Sequence, residues 1–262
     1  MIMEFCVGVE YLNFRATCKQ CQLAAPMIRW SSETAIRRLQ TYSLISPWLI
    51  VLDKYQGIIT FTDPMFGDKY FMKTPQELVG DLRIYCSRYG WLLFYKFSIP
   101  RELLFFNPFR NDIREVPNMT FYFDSVCFST PPTSPDCIVV GLSASLPAQI
   151  FIYFINREPS WRMFHMDFGV APPHSFLFST FYGQDIYALN EGALDAFRKI
   201  EGRPVWDGVV SEAPRGRSTQ YFLVNCDEHH LVLVMVDELG KFVEASKLND
   251  STQEWEKIDS LG

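Results

Sequence analysis

The chain has 262 residues, 48% of them hydrophobic and 16% aromatic, with 23 Phe, 12 Tyr and 6 Trp. That is ample apolar surface for one large β domain or two small ones, since aromatics favour strands and bury large areas. The net charge is −6 with no long run of either sign, which argues against nucleic acid, whose phosphates need a basic footprint.

Seven cysteines, Cys6, Cys18, Cys21, Cys86, Cys127, Cys137 and Cys226, are scattered and odd in number. The expectation is reduced thiols in the cytoplasm or nucleus and no disulfide framework. The first residues have no basic n-region, and Glu4 interrupts the apolar stretch, so no secretory signal is read. The longest apolar runs, such as Leu231–Val236, suit a buried strand and fall short of a membrane helix.

In chain order, Glu10–Cys21 has helical spacings and Pro26 stops it. Ser32 is placed to cap a second helix running to about Tyr42; on it, Arg37 and Arg38 read as a solvated face. Ser46-Pro47 then opens β territory. From Trp48 onward, short apolar runs are cut by Pro, Gly, Asn and Asp. They fall into five groups. WLIVLD, IITFTDP and KYFMKTP come first. RIYCSRYGWLLFY, ELLFFNPF and DIREVP follow, then SVCFS, CIVVGLS, QIFIYFI and SWRMFHM. The fourth group is SFLFSTFYG, DIYALN, LDAFRKI and PVWDGV, and the fifth is QYFLVNC, HLVLVMV, KFVEASKL and TQEWEKI. Turns are expected at Asp53–Gly57, between Asn107 and Asn111, and at Asn190–Gly192.

No helical stretch separates these groups, which excludes a parallel α/β sheet. Phe71, Ile113, Trp161, Trp206 and Trp255 recur at intervals of 42 to 49 residues, near the end of each group. A strand-borne period of that size marks a β-propeller of four-stranded blades. The expected class is mainly β, a propeller of about five blades, with an incomplete ring as the alternative. Short helices precede it. The five recurring residues are read as blade packing, because each blade must bury both faces.

Candidate chemistry is sparse. Cys18 and Cys21 form a C-x-x-C with no second ligand pair for zinc, and they lack the strand-to-helix setting of a redox motif. Cys226, His229 and His230 read as turn residues, since adjacent histidines in a hairpin point to opposite faces. His165 and Asp167 share a strand face but lack a nucleophile placed by sequence. Ser143, in GLSAS, lacks the second glycine of a nucleophile elbow. No catalytic residue, metal site or cofactor is expected. The best contact surface is the loop Phe128–Cys137, at Pro131, Pro132, Thr133, Ser134 and Pro135, whose prolines pre-set an extended path.

Several motifs, in order, carry a resemblance. SPWLIVLD, the TDP of Thr62–Pro64, SRYGWLLF, LLFFNPFRNDIREVP and CFSTPPTSPDCIVVG are together similar to the plant F-box-associated, kelch-like β-propeller domain, once catalogued as a domain of unknown function. YLNFRATCKQCQLAAP, Tyr11–Pro26, resembles the closing helix of an F-box. The resemblance implies residues 1–45 as a helical F-box remnant with a linker helix, and residues 46–262 as the propeller. It implies a substrate-recognition subunit of an SCF-type ubiquitin ligase that binds a target protein and is not an enzyme. Tyr11, Leu12, Phe14, Arg15, Cys18 and Lys19 would face a Skp-type adaptor. Cys21 stands where an F-box usually has Trp. Two alternatives are carried: an adaptor-free propeller interaction module or degenerate paralogue, and a propeller glycoside hydrolase. Neither nucleic acid nor membrane is expected as a partner.

Overall fold

The computed structural model describes residues 29–30, 49–53, 55–62, 69–97, 101–108, 110–168, 173–190, 193–200, 203–212, 220–227, 230–236 and 243–258. The helices expected at Glu10–Cys21 and after Ser32 lie outside these residues. The described residues form five four-stranded sheets, and every neighbouring strand pair in them is antiparallel. The chain divides into two compact units, residues 1–119 and 120–262.

The first unit holds two sheets. Sheet 1 combines β1 (Arg29–Trp30), β2 (Leu49–Asp53), β3 (Ile58–Thr62) and β4 (Lys69–Lys73) in the order β1-β4-β3-β2. Sheet 2 runs β5 (Leu82–Arg88), β6 (Trp91–Lys96), β7 (Arg101–Asn107) and β8 (Asp112–Met119) in chain order. The second unit holds three more sheets, each also in chain order. Sheet 3 is β9 (Ser125–Phe128), β10 (Ile138–Ser143), β11 (Gln149–Phe154) and β12 (Arg162–His165). Sheet 4 is β13 (Phe176–Tyr182), β14 (Asp185–Asn190), β15 (Ala193–Ile200) and β16 (Arg203–Glu212). Sheet 5 is β17 (Gln220–Asp227), β18 (His230–Val236), β19 (Val243–Asn249) and β20 (Glu254–Lys257). The five groups read from sequence are these five sheets.

Sheet 1 departs from the pattern in one respect. In sheet 3, Met166, just past the fourth strand, donates its N–H to Ala148 O, just before the third, at 2.9 Å. In sheet 1, Thr74, just past β4, donates to Gly57 O, just before β3, at 2.7 Å. Both bonds extend an antiparallel ladder by one residue pair, as Phe97 N–H to Asp81 O does for β5 and β6. A short 3-10 turn, Gln76–Leu78, then leads into β5. Arg29 and Trp30, paired with Phe71 and Tyr70, add an outer strand beyond the fourth. Two residues show no alternation, so this strand left no mark in the sequence. It comes from inside residues 1–45, the segment read as the F-box remnant. Among the described residues, no strand pairs with the other edge of β2.

Sheets bury both faces where they stack. In the first unit Ile59, Phe61 and Met72 pack against Leu92, Phe94, Leu104 and Phe106. In the second, Leu142, Ile150 and Ile152 meet Phe176, Ile186 and Phe197, while Leu189 and Leu194 meet Leu231, Leu233 and Leu248. A strand covered on both sides reads as a continuous apolar run, as in WLLFYK and HLVLVMV. Each fully buried Leu, Ile or Phe side chain contributes about 1.5–3 kcal/mol by leaving water.

The recurring residues divide by position. Ile113 pairs with Phe106 and Trp255 with Leu248, each the second pair from its hairpin turn. Both are part-buried against their unit's core. Trp161 precedes β12 and lies between the rings of Phe123 and Tyr153, with centroids 5.4 and 5.5 Å away. Trp206 pairs with Phe197 on β16; its side chain lies outside the described residues. Phe71 corrects the expectation for its position. It is 37% exposed, and its neighbour Met72 is the residue that enters the core. Successive strand residues point to opposite faces, so only one of the two can do so.

Three expected turns are present, each built on a side-chain oxygen. Asp53 Oδ1 accepts from the N–H groups of Tyr55 and Gln56 at 2.9 Å, and Gly57 closes the turn at φ +61°. Asn107 Oδ1 accepts from Arg110 N–H at 3.0 Å, and Asn190 Oδ1 from Ala193 N–H at 2.9 Å. Asn249 repeats the device, accepting from Ser251 and Thr252. Such short polar side chains replace the backbone acceptor that a hairpin tip lacks.

Gly141, central in β10, is closely packed. A Cβ there would meet the buried Phe123 ring at 2.6 Å. Gly141→Ala is therefore expected to cost about 1–3 kcal/mol through overpacking. Urea denaturation would read this as a lower midpoint. Phe123→Leu in the same chain should recover part of the loss.

Candidate functional site

The loop between β9 and β10, residues 129–137, has the best-defined geometry of the candidate surfaces. It opens on a ladder closure: Ser129 N–H donates to Ile138 O at 3.0 Å, and Ile138 N–H donates to Ser129 Oγ at 3.0 Å. Two tight turns follow. Ser134 N–H donates to Pro131 O at 2.8 Å, and Cys137 N–H to Ser134 O at 3.3 Å. Ser134 Oγ accepts from Asp136 N–H at 3.3 Å. Proline cannot donate, so Pro131, Pro132 and Pro135 leave few orphan donors for these turns to satisfy.

The five candidate contact residues are not equivalent. Pro132 is buried and anchors the loop; Pro131, Thr133 and Ser134 are half-buried; Pro135 is exposed. The exposed Asp136 pairs with Arg157 on the turn between β11 and β12, and Ile155 N–H donates to Cys137 O at 3.0 Å. The loop and that turn thus form one end of sheet 3. Next to them Arg162 pairs with Glu158 and lies over the Phe154 ring at 5.1 Å. The result is a rigid surface of proline, hydroxyl and paired charge. Its side chains are held in place before any partner arrives, which lowers the ordering cost of binding.

Cys137 closes the loop from below. It is 1% exposed, and its thiol donates to Thr130 O at 2.9 Å. Burial pushes its pKa up to about 11, more than its contacts with Thr130 lower it. It is an inert, structural thiol at neutral pH.

The remaining sequence candidates are dispersed. Ser143 is 4% exposed, and its Oγ lies 2.9 Å from Ser145 Oγ. His165 ends β12 and Asp167 follows it; both are exposed. His230 starts β18, while the Cys226 side chain and His229 lie outside the described residues, as do Tyr11, Leu12, Phe14, Arg15, Cys18, Lys19 and Cys21. Among the described residues, no three His, Cys, Asp or Glu side chains group as metal ligands, and no helix is long and apolar enough to cross a membrane. Sequence reasoning missed the Asp136–Arg157 link, because residues 21 apart give no local signal of contact.

The thiol gives a measurable signature. Folded-state pKa is raised, so the protonated thiol's stabilisation is full below the unfolded pKa near 9.0 and is lost as pH rises toward about 11. Stability should fall across that window, and Cys137→Ala should flatten the fall. At pH 8, a disulfide reagent should label Cys137 at least about tenfold more slowly in the folded chain than in urea.

The profile of the KIB1-4 beta-propeller family matches residues 58–262. F-box protein At3g56470 of Arabidopsis thaliana is 30% identical over 229 residues, covering 83% of this chain and 59% of that protein. F-box protein At4g00893 of the same plant is 34% identical over 96 residues, 37% of this chain and 24% of its own length. F-box/kelch-repeat protein At1g57790, also from Arabidopsis thaliana, is 35% identical over 109 residues, 41% of this chain and 30% of that protein. The chain thus spans between a quarter and three fifths of the length of these relatives. Its repeated four-stranded antiparallel sheets are the blades that the profile describes, and the chain belongs to the KIB1-4 beta-propeller family.

Proposed function

We propose that the chain is the target-binding part of an SCF-type ubiquitin ligase. Its blades hold a protein target, and residues 1–45 face a Skp-type adaptor through Tyr11, Leu12, Phe14, Arg15, Cys18 and Lys19. The observation that carries this reading is the alignment with a plant F-box protein over 83% of the chain, together with the propeller family match. A propeller is a platform, and its fold alone names no function; the F-box names of the relatives supply the direction.

The surface at the end of sheet 3 supports a binding role. Thr133, Ser134 and Pro135 stand on a loop tied down by its own turns and by Arg157, so a partner meets a preformed shape. In this reading the chain is a non-catalytic subunit. Three of the described carboxylates have structural partners: Asp53 holds a turn, and Asp136 and Glu158 pair with arginines. The chain works in the cytoplasm or nucleus, where its scattered thiols stay reduced.

The adaptor test is direct. The purified chain should retain a Skp-type adaptor at micromolar concentration, and Leu12→Asp with Phe14→Asp should weaken retention at least about tenfold, or 1.4 kcal/mol. Absence of binding at that concentration would remove the ligase reading.

A further inference from the structure

A hydroxyl followed by proline is the acceptor that proline-directed protein kinases take, since proline's missing N–H and fixed φ mark one backbone shape. In this chain proline follows Ser46, Thr74, Thr130 and Ser134. Ser46 lies outside the described residues. The fold separates the others. Thr74 is 5% exposed, and the Oγ1 atoms of Thr74 and Thr130 are both buried. Ser134 is only half-buried, and Pro135 and Asp136 after it are exposed. The bond that Ser134 Oγ accepts from Asp136 N–H, at 3.3 Å, lies at the surface.

The loop is held more firmly at its ends than at Ser134. Pro132 and Cys137 are buried and anchor it. Between them, the turn bonds on the C-terminal side of Ser134 are long. Cys137 N–H reaches Ser134 O at 3.3 Å, and Asp136 N–H reaches Ser134 Oγ at the same distance. Ordinary N–H···O bonds measure roughly 2.7–3.2 Å, so both are weak. The Asp136–Arg157 pair is exposed on both sides, and such pairs contribute little to stability. Residues 133–136 can therefore open into a kinase cleft while sheet 3 stays folded. Arg157, on the turn between β11 and β12, stands beside the acceptor through its pairing with Asp136. The neighbouring carboxylate, Glu158, is taken up by Arg162, whose Nε lies 2.7 Å away. A phosphoserine carries about −1.5 to −2 charges at neutral pH and three acceptor oxygens, so it attracts a guanidinium more strongly than a carboxylate does.

We propose that Ser134 is a phosphorylation site for a proline-directed protein kinase, and that Arg157 leaves Asp136 to hold the phosphate. Ser134 Oγ attacks the γ-phosphorus of a nucleoside triphosphate. Its proton passes to the kinase's catalytic carboxylate, and the bond to the departing nucleoside diphosphate breaks. Asp136 N–H, already aimed at Ser134 Oγ, then donates to the phosphate. The change is one of charge. Asp136 and Arg157 cancel before the reaction, and the added phosphate makes the loop acidic. The Asp136 carboxylate, two residues away, repels the phosphate, and Arg157 offsets that repulsion. Phosphorylation needs no adaptor, so this site is independent of the ligase reading; it sets a charge switch on the candidate contact loop.

The test incubates the purified full chain with a proline-directed serine/threonine kinase, magnesium and ATP, and follows each site by mass spectrometry. Ser134 should take phosphate at least about tenfold faster than Thr74 or Thr130, whose buried hydroxyls are reached only by a larger opening. Phosphorus NMR should then give the Ser134 phosphate a second pKa at least about 0.3 pH unit lower in this chain than in Arg157→Gln, because the guanidinium favours the dianion. The phosphorylated peptide of residues 128–137, which contains no arginine, supplies the same comparison if Arg157→Gln does not fold. No phosphate at Ser134, or phosphate at Thr74 or Thr130 at a comparable rate, would overturn the site. A second pKa unchanged by the loss of Arg157 would overturn the phosphate contact.

Discussion

Burial of both faces of a four-stranded sheet is the constraint on which the structure depends. A sheet with apolar residues on its two sides cannot stand alone in water, so it must stack. In the first unit this joins sheets 1 and 2 through Phe61, Phe94 and Phe106. In the second it joins sheet 3 to 4 through Ile150 and Phe197, and 4 to 5 through Leu189 and Leu233. The heavy aromatic content follows from it, because large rings fill the space between stacked sheets at low entropic cost. Where two large groups meet one position, a residue must yield. Gly141 gives its side-chain volume to the Phe123 ring.

The same constraint decides what is left for function. Where the faces are covered, the sheet ends and edges are what remains accessible. At the ends, Asp53, Asn107, Asn190 and Asn249 satisfy the hairpin tips locally. The longer loop at Pro131–Pro135 is braced instead by a second turn through Arg157 and by a buried thiol. Its half-buried hydroxyls and exposed Pro135 stand on this frame. Among the described residues, the sheet edges other than β2 carry register shifts, short strands or prolines.

Much of this was legible in the chain. Five strand groups punctuated by Asn, Asp, Gly and Pro match sheets 2 to 5 and three strands of sheet 1, because periodicity and turn chemistry are local properties. The recurrence of Ile113, Trp161, Trp206 and Trp255 reflects a common place near or on the fourth strand, and the family motifs agree with it. Phe71 belongs to that repeat by spacing, yet alternation put Met72 in the core in its stead. Spacing identifies a strand and leaves its facing open, since a shift of one residue exchanges the two sides.

The sequence by itself determined the fold class, the grouping of strands and the family, all of which are written in short-range patterns. Tertiary structure alone decided that Arg29 and Trp30 form the outer strand of sheet 1 and that Arg157 ties down the loop at Asp136. Each of these joins residues separated by long stretches of chain, or depends on which strand stands beside another. Hydrogen-bond pairing between distant segments has no local sequence signal, and so it emerges only when the sheets are assembled.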